Sequence, residues 1–141
     1  MIKIDESRIF QIIEERKPRS VALNGAEALI PRLQDVADHV HEKFGIEAYV
    51  IGDPCWGSCD LNTHAADMLG ADLLFNVGHT VAMETFGEKV VMINAYDDVS
   101  FDSVARKFAK DMQGRYKAIS LVTDSQHLEE VEKAQKNIRR A

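Results

Sequence analysis

Short apolar runs alternate along this chain with segments of helical periodicity, and that alternation constrains the fold more than any other feature. Runs rich in aliphatic and aromatic residues predict five strands, over residues 20–24, 47–51, 72–77, 90–95 and 117–122. Strands that alternate with helices form βαβ units with right-handed crossovers and a parallel sheet. We therefore predict the α/β class, with a parallel β-sheet of four to five strands flanked by helices.

The segments between these runs carry the periodicity of amphipathic helices. One face of a long helix, expected to end at Gly45, comprises Leu29, Leu33, Val36, Val40 and Phe44. An earlier helix contains Ile9, Ile12 and Ile13, and later ones cover residues 63–69, 100–113 and 126–140. In the helix of residues 100–113 the spacing predicts an inward face of Phe101, Val104, Phe108 and Met112.

Composition restricts the class of protein. The 141 residues, 45% of them hydrophobic, suit a single α/β domain over residues 1–141 with one core. Two cysteines are too few for a disulfide-stapled secreted scaffold, and no apolar stretch approaches the length of a membrane span. A net charge of −6 argues against a general nucleic-acid surface. We expect a cytoplasmic domain with reduced thiols and with no membrane or direct nucleic-acid contact.

Residues with reactive side chains concentrate after the second predicted strand. The segment 52–60 holds both cysteines, Cys55 and Cys59, together with the only tryptophan. The carboxyl ends of parallel strands meet at one edge of the sheet, where open α/β sheets bind their ligands. Since His79 and Glu27 also follow predicted strands, we expect Cys59, His79 and Glu27 to converge at this edge.

Several chemistries fit two thiols at such an edge. A zinc site would use Cys55, Cys59, His64 and His79, although their spacing matches no known finger pattern. A nucleophilic cysteine would use His79 as its base. An iron–sulfur cluster needs about three or four cysteine ligands, which is more than this chain supplies. The residues alone therefore indicate reactive or metal-binding thiols without selecting one of these sites.

Several sequence elements follow one another in the order and spacing of a known family. They are Gly52-Asp53 after a predicted strand, Trp56-Gly57-Ser58-Cys59-Asp60, a short helix, Leu69-Gly70-Ala71-Asp72-Leu73-Leu74 and the turn Gly78-His79-Thr80. The chain therefore resembles the amino-terminal domain of diphthamide synthase, and more particularly the archaeal subunit 2 type. A looser similarity covers residues 21–24, Glu27 and residues 121–128. Around Glu27, Ala26 and Ala28 replace the Pro and Gly of the family.

This resemblance implies a fold and an activity. Members of the family have three related α/β domains, each of which gives one cysteine to a central 4Fe-4S cluster, and they form homodimers in archaea. The cluster binds S-adenosylmethionine, and reductive cleavage yields a 3-amino-3-carboxypropyl radical. That radical attacks a histidine of translation elongation factor 2, the first step of diphthamide biosynthesis. We therefore expect a transferase whose first domain is this chain, inactive alone.

The resemblance also implies roles for individual residues. It makes Cys59 a ligand of the cluster. From their positions after predicted strands, we expect Gly78, His79, Thr80 and Glu27 to bind S-adenosylmethionine beside it. Cys55 falls where the family has another residue, so the resemblance gives it no ligand role. The alternative is a freestanding α/β module that binds a metal or a small anion at the edge of the sheet.

Overall fold

The computed structural model of the chain describes residues 2–79 and 85–139, so that Thr80, one of the predicted ligand-binding residues, lies outside the described residues. The chain divides into two compact units, one of Ile4–Ala95 and one of Tyr96–Ala141 together with Met1–Lys3. Among the helices of the described residues, none combines the length and the apolar character that a membrane span requires.

The unit Ile4–Ala95 is built around a mixed sheet. Its elements in chain order are β1 (Lys3–Ile4), α1 (Glu6–Arg16), β2 (Ser20–Gly25), α2 (Ile30–Phe44), β3 (Glu47–Val50), α3 (Thr63–Met68), β4 (Leu73–Val77), β5 (Thr85–Phe86), β6 (Val90–Ile93) and β7 (Ala95–Tyr96). The strand order of the main sheet is β3-β2-β4-β6-β5. Four of these strands are parallel, and β5 pairs antiparallel to β6. The predicted α/β class and parallel sheet are therefore confirmed.

Both faces of this sheet are covered, as the near-continuous apolar runs of its strands require. Val21 and Leu23 of β2 and Phe75 of β4 pack in one core cluster with residues of α1 and α2. The intervening residues Ala22 and Leu74 belong to a second cluster that contains Ala66 of α3. Because successive side chains of a strand point to opposite faces, the near-continuous apolar runs are those of strands buried on both sides.

The two long helices of this unit begin and end at residues that suit those positions. Asp5 caps α1, since its carboxylate accepts a hydrogen bond from the backbone N–H of Arg8 at 3.2 Å. Pro31 lies in the first turn of α2, where a missing N–H costs nothing, and α2 ends at Gly45 as predicted.

We expect the ion pair between His39 of α2 and Glu6 of α1 to make stability depend on pH. The carboxylate of Glu6, 2.8 Å from His39 Nδ1, raises the pKa of His39 above its ordinary value of 6.5. The pair therefore stabilises fully at pH values below 6.5, and its contribution is lost as pH rises through the higher folded-state pKa. Urea unfolding of His39→Gln should reveal a larger destabilisation at about pH 5 than at about pH 9.

The control for this measurement is His64→Gln, since His64 is exposed on α3. Its destabilisation should be equally small at both pH values. A loss in His39→Gln that is the same at both pH values would contradict the assignment.

The second unit contains α4 (Asp102–Met112) and α5 (Leu128–Arg139), with a 3₁₀ turn over Ser125–His127 before α5. The predicted inward face of α4 is partly wrong: Val104 is 65% exposed, and the buried residues are Ala105 and Ala109. The buried stripe is displaced by one position because α4 packs closely on α5 through small side chains. Asn137 of α5 supports this contact by donating a hydrogen bond to Asp102 at 2.8 Å.

The strand predicted over residues 117–122 is wrong. The structure assigns no strand to this segment, and Val122 is 92% exposed. A fifth parallel strand beside β6 would need the free edge of β6, but β5 pairs with that edge. A local apolar run contains no information about whether the sheet edge it would pair with is already occupied, and without a partner strand it does not form a strand.

Candidate functional site

The loop that carries both cysteines is anchored to the end of β2. Beyond the last residue of β3, Ile51 donates its backbone N–H to Leu23 O at 2.9 Å, which continues the parallel pairing. Cys55 then donates its backbone N–H to Gly25 O at 2.9 Å. These two bonds hold the start of the loop at the carboxyl edge of the sheet.

A buried asparagine ties the two ends of this loop together. Asn24 is fully buried in β2, and its Nδ2 donates to Asp53 O at 2.9 Å. Its Oδ1 accepts from Asn62 Nδ2 at 3.2 Å, and the same Asn62 nitrogen donates to Asp53 O at 3.1 Å. An unpaired buried amide costs about 1–3 kcal/mol, so this set of mutual bonds fixes the loop. The signal in the sequence was a polar residue inside an apolar strand.

The turn that presents Cys59 is closed by Asp60. Asp60 Oδ2 accepts from the backbone N–H of Trp56 at 3.0 Å, and the backbone N–H of Asp60 donates to Gly57 O at 3.0 Å. Trp56 is 83% exposed and Cys59 is exposed. Within the described residues the Cys59 thiol makes no hydrogen bond, so the turn presents it to solvent from a constrained backbone.

Cys55 has the opposite environment, since its side chain is 2% exposed and surrounded by polar atoms. Its Sγ lies 3.1 Å from Gly57 O and 2.8 Å from Asp60 O, and it accepts a hydrogen bond from Asn76 Nδ2 at 3.1 Å. The thiol therefore holds the turn from inside. Cys55 and Asn76 join the loop to β4.

His79 lies just beyond β4 and completes this network. Its Nδ1 is 3.2 Å from Asn76 Oδ1 and 3.6 Å from Cys55 Sγ. Burial lowers the pKa of His79 below 6.5, against the opposing effect of the negative charge on Asp60. The imidazole is therefore neutral near neutral pH. The preceding Gly78 has φ +89°, a backbone conformation that favours glycine. A Cβ at this position would also lie 2.8 Å from Leu29 Cδ1, so glycine suits this turn whether or not it contacts a ligand.

The structure places each of the three predicted site residues after the end of a strand. Cys59, His79 and Glu27 follow β3, β4 and β2 respectively, so all three come after carboxyl ends of parallel strands. Glu27 is exposed in a 3₁₀ turn. Among the described residues no hydrogen bond or ion pair joins these three side chains. His79 instead contacts Cys55, with which the zinc alternative grouped it, and Asn76, which the sequence did not indicate.

The geometry tests the alternatives for the two thiols. In the part of the chain that the structure describes, no three His, Cys, Asp or Glu side chains are grouped to hold a metal ion, so the four zinc ligands considered above are not assembled there. Cys55 lies beside His79 as a nucleophile would, but it is buried and inaccessible to a substrate. Cys59 is accessible, and it fits the role of a single thiolate ligand to a metal cluster that takes other ligands from elsewhere.

Comparison with known proteins gives the family. The family model for diphthamide synthesis proteins matches residues 26–141. The curated 2-(3-amino-3-carboxypropyl)histidine synthase of Pyrococcus horikoshii is 21% identical over 132 residues, which cover 94% of this chain and 38% of that protein. Subunit 1 of the same synthase from Nematostella vectensis is 31% identical over 94 residues, 64% of this chain and 20% of the relative.

Solved structures agree on the fold. Dph2 from Pyrococcus horikoshii, crystallised with a 4Fe-4S cluster, matches with a TM-score of 0.84 at 20% identity, over 99% of this chain and 42% of that chain. A second crystal structure of the same protein matches with a TM-score of 0.83. The chain thus spans less than half the length of these relatives, and its fold is that of one part of Dph2.

Proposed function

Since the chain belongs to the diphthamide synthesis protein family, we propose that residues 1–141 form the first of three related α/β domains of a 2-(3-amino-3-carboxypropyl)histidine synthase. This enzyme acts in the cytoplasm as a homodimer. It cleaves S-adenosylmethionine and transfers the 3-amino-3-carboxypropyl group to a histidine of translation elongation factor 2. The coverage of 94% of this chain but 38% of the Pyrococcus relative supports a single domain of a longer enzyme.

The observation that carries this proposal is the exposed thiol of Cys59 on a loop that is tied to the sheet at both ends. Cys59 would be one ligand of a 4Fe-4S cluster, the group with which the Pyrococcus Dph2 was crystallised, and such a cluster would supply the electron for the cleavage of S-adenosylmethionine. The role of this chain is to hold Cys59 at a fixed position while two further thiolates come from the other domains. Cys55 keeps its sulfur inside the loop and positions the turn.

The remaining site residues are proposed to bind S-adenosylmethionine. Gly78 and His79 follow β4 at the edge where the Cys59 loop is anchored, and Thr80 follows them in sequence. Glu27, exposed after β2, offers a carboxylate to an ammonium or hydroxyl group. The positions after β2 and β4 suit ligand binding, because parallel sheets bind small molecules beyond the carboxyl ends of their strands.

The direct test is a transfer assay. The longest natural polypeptide that contains this sequence is reduced anaerobically and incubated with S-adenosylmethionine and elongation factor 2. Mass spectrometry should find one 3-amino-3-carboxypropyl group on a histidine of the factor and methylthioadenosine in solution. Modification of a different residue, or transfer of a methyl group, would refute the proposal.

We expect His79→Ala in that polypeptide to weaken the binding of S-adenosylmethionine while leaving the cluster spectrum nearly unchanged. The imidazole is a partly buried polar group at the strand end, and no described contact joins it to Cys59. Loss of one hydrogen bond to a ligand costs about 0.5–1.5 kcal/mol, or roughly a twofold to twelvefold rise in Kd. His64→Ala on α3 is the matched control and should bind normally. Unchanged affinity with lower thermal stability would make His79 purely structural.

The alternative function is a freestanding module that binds a metal or a small anion by itself, and chelation distinguishes it. We expect the 141-residue chain to keep its thermal midpoint after treatment with a chelator, because its stability comes from two apolar clusters that cover the sheet. We also expect it to assemble no stable cluster when iron and sulfide are added anaerobically, since Cys59 is one ligand of about three. Melting on chelation would favour the freestanding module.

A further inference from the structure

The proton of the Cys55 thiol has a defined direction. Two carbonyl oxygens, of Gly57 and Asp60, lie 3.1 Å and 2.8 Å from Sγ. Carbonyl oxygens accept hydrogen bonds and never donate them, so the S–H group must be the donor to this pair. The lone pairs of the sulfur then remain for a donor on its other side.

This direction orients the side-chain amide of Asn76. The amide atom 3.1 Å from Cys55 Sγ must be a donor, because the sulfur presents lone pairs there, and it is Nδ2. The oxygen of the same amide, Oδ1, consequently faces His79 Nδ1 at 3.2 Å. Asn76 is fully buried in the centre of the sheet, so it has no solvent route by which to satisfy a reversed amide.

The amide in turn fixes the tautomer of His79. Asn76 Oδ1 and Cys55 Sγ, at 3.2 Å and 3.6 Å, both present lone pairs to Nδ1. Nδ1 must therefore carry the hydrogen. A neutral imidazole has a single N–H group, which leaves Nε2 as an acceptor. Burial lowers the pKa of His79 and so keeps the ring neutral.

The acceptor atom of His79 belongs to a partly exposed residue. Within the residues that the structure describes, Nε2 makes no hydrogen bond. His79 is partly exposed and lies just beyond the carboxyl end of β4, where a ligand at this edge of the sheet would meet its ring. A carboxylate cannot form a hydrogen bond with Nε2, because both groups are acceptors, whereas a hydroxyl or an ammonium group would donate a hydrogen bond to Nε2.

We propose that Cys55 and Asn76 are positioning residues that hold His79 with its proton on Nδ1, so that Nε2 accepts a hydrogen bond from a hydroxyl or ammonium group of a bound small molecule. The tautomer follows from the contacts of this chain alone. The identity of the small molecule, S-adenosylmethionine, rests on the proposed function. His79 thus selects the ribose or amino end of that molecule and not its carboxylate.

Imidazole nitrogen NMR of the 141-residue chain with isotope-labelled histidine tests the tautomer. The wild-type spectrum should show His79 protonated on Nδ1 and bare on Nε2. Cys55→Ser, which keeps both the donor and the acceptor, should retain that pattern. Cys55→Ala and Asn76→Leu should convert His79 to a mixture of tautomers. His41, whose Nδ1 lies 3.0 Å from Ile46 O, is the internal control and should not change.

The wild-type spectrum decides the tautomer even if a variant fails to fold. A proton on His79 Nε2 in the wild type would overturn the proposal. So would an Nδ1–H tautomer that persists unchanged in a folded Cys55→Ala or Asn76→Leu chain, because the neighbours would then not be setting it.

Adding small molecules to the same sample tests the ligand. Methylthioadenosine carries ribose hydroxyls, methionine carries the ammonium group, and acetate carries a carboxylate alone. We expect one of the first two to shift the Nε2 signal of His79 and acetate to leave it in place. A comparable shift with acetate would overturn the selectivity. If His79 is protonated on Nδ1 but no probe shifts its Nε2 signal, the proposed S-adenosylmethionine pocket is refuted. The assignment of Cys55 and Asn76 as residues that set the tautomer would then still hold.

Discussion

Replacing Cys59 with alanine is expected to abolish both the iron–sulfur cluster and the transfer of the 3-amino-3-carboxypropyl group. Cys59 is the exposed thiol of the chain, whereas the sulfur of Cys55 is enclosed by Gly57, Asp60 and Asn76. A cluster ligand must release its proton and reach the metal, and only the first of these thiols is accessible. Without one of about three thiolates the cluster does not assemble.

The measurement uses the longest natural polypeptide that contains this sequence. Iron and acid-labile sulfide per chain, the visible charge-transfer band and transfer to elongation factor 2 should all fall below detection in Cys59→Ala. Ser58→Ala, at the neighbouring position of the same turn, should retain all three. Cys55→Ser should retain the iron, the sulfide and the band, since serine preserves the hydrogen bonds inside the loop. Loss of the cluster in Cys55→Ser together with its retention in Cys59→Ala would reverse the assignment.

The sequence predicts well those parts of the fold in which apolar residues recur at a regular spacing. The stripe of Leu33, Val36 and Val40 and the end of α2 at Gly45 appear as predicted, because a single helix decides them. The near-continuous apolar runs of β2 and β4 also predict strands buried on both faces. Residues 117–122 and the face of α4 depend instead on which neighbouring element is present, and no local pattern contains that information.

The candidate site divides in the same way. The positions of Cys59 and His79 after strand ends follow from the order of the elements along the chain. The network of Asn24, Asn76 and Asp60 does not, because an asparagine in an apolar strand reads locally as an interruption. The role of each asparagine depends on a partner that is distant in the sequence. Asn24 bonds to Asp53, 29 residues away, and Asn76 bonds to Cys55, 21 residues away. Buried amides in strands are thus worth treating as candidate anchors for the loops that follow neighbouring strands.

The strand end that supports this loop is expected to be the least tolerant of an added methyl group. In Gly25→Ala the new Cβ would lie 2.8 Å from the carbonyl oxygen of Val77, its register partner in β4. That atom belongs to the backbone, so the two strands must separate. Overpacking of this kind costs about 1–3 kcal/mol in the free energy of unfolding. At Gly52, which begins the same loop, an added Cβ meets nothing within 4 Å. Gly52→Ala should therefore change that free energy by less than about 0.5 kcal/mol.

Urea unfolding measures this difference, and hydrogen exchange locates it. Gly25 O accepts the backbone N–H of Cys55, so a displacement of β2 away from β4 should also distort that bond. The amide of Cys55 should then exchange faster in Gly25→Ala than in Gly52→Ala, while amides of α1 in the two variants should differ only by the change in global stability. Equal free energies of unfolding in the two variants would mean that the strand ends separate freely. A rigid edge would then not be what holds the Cys59 loop in place.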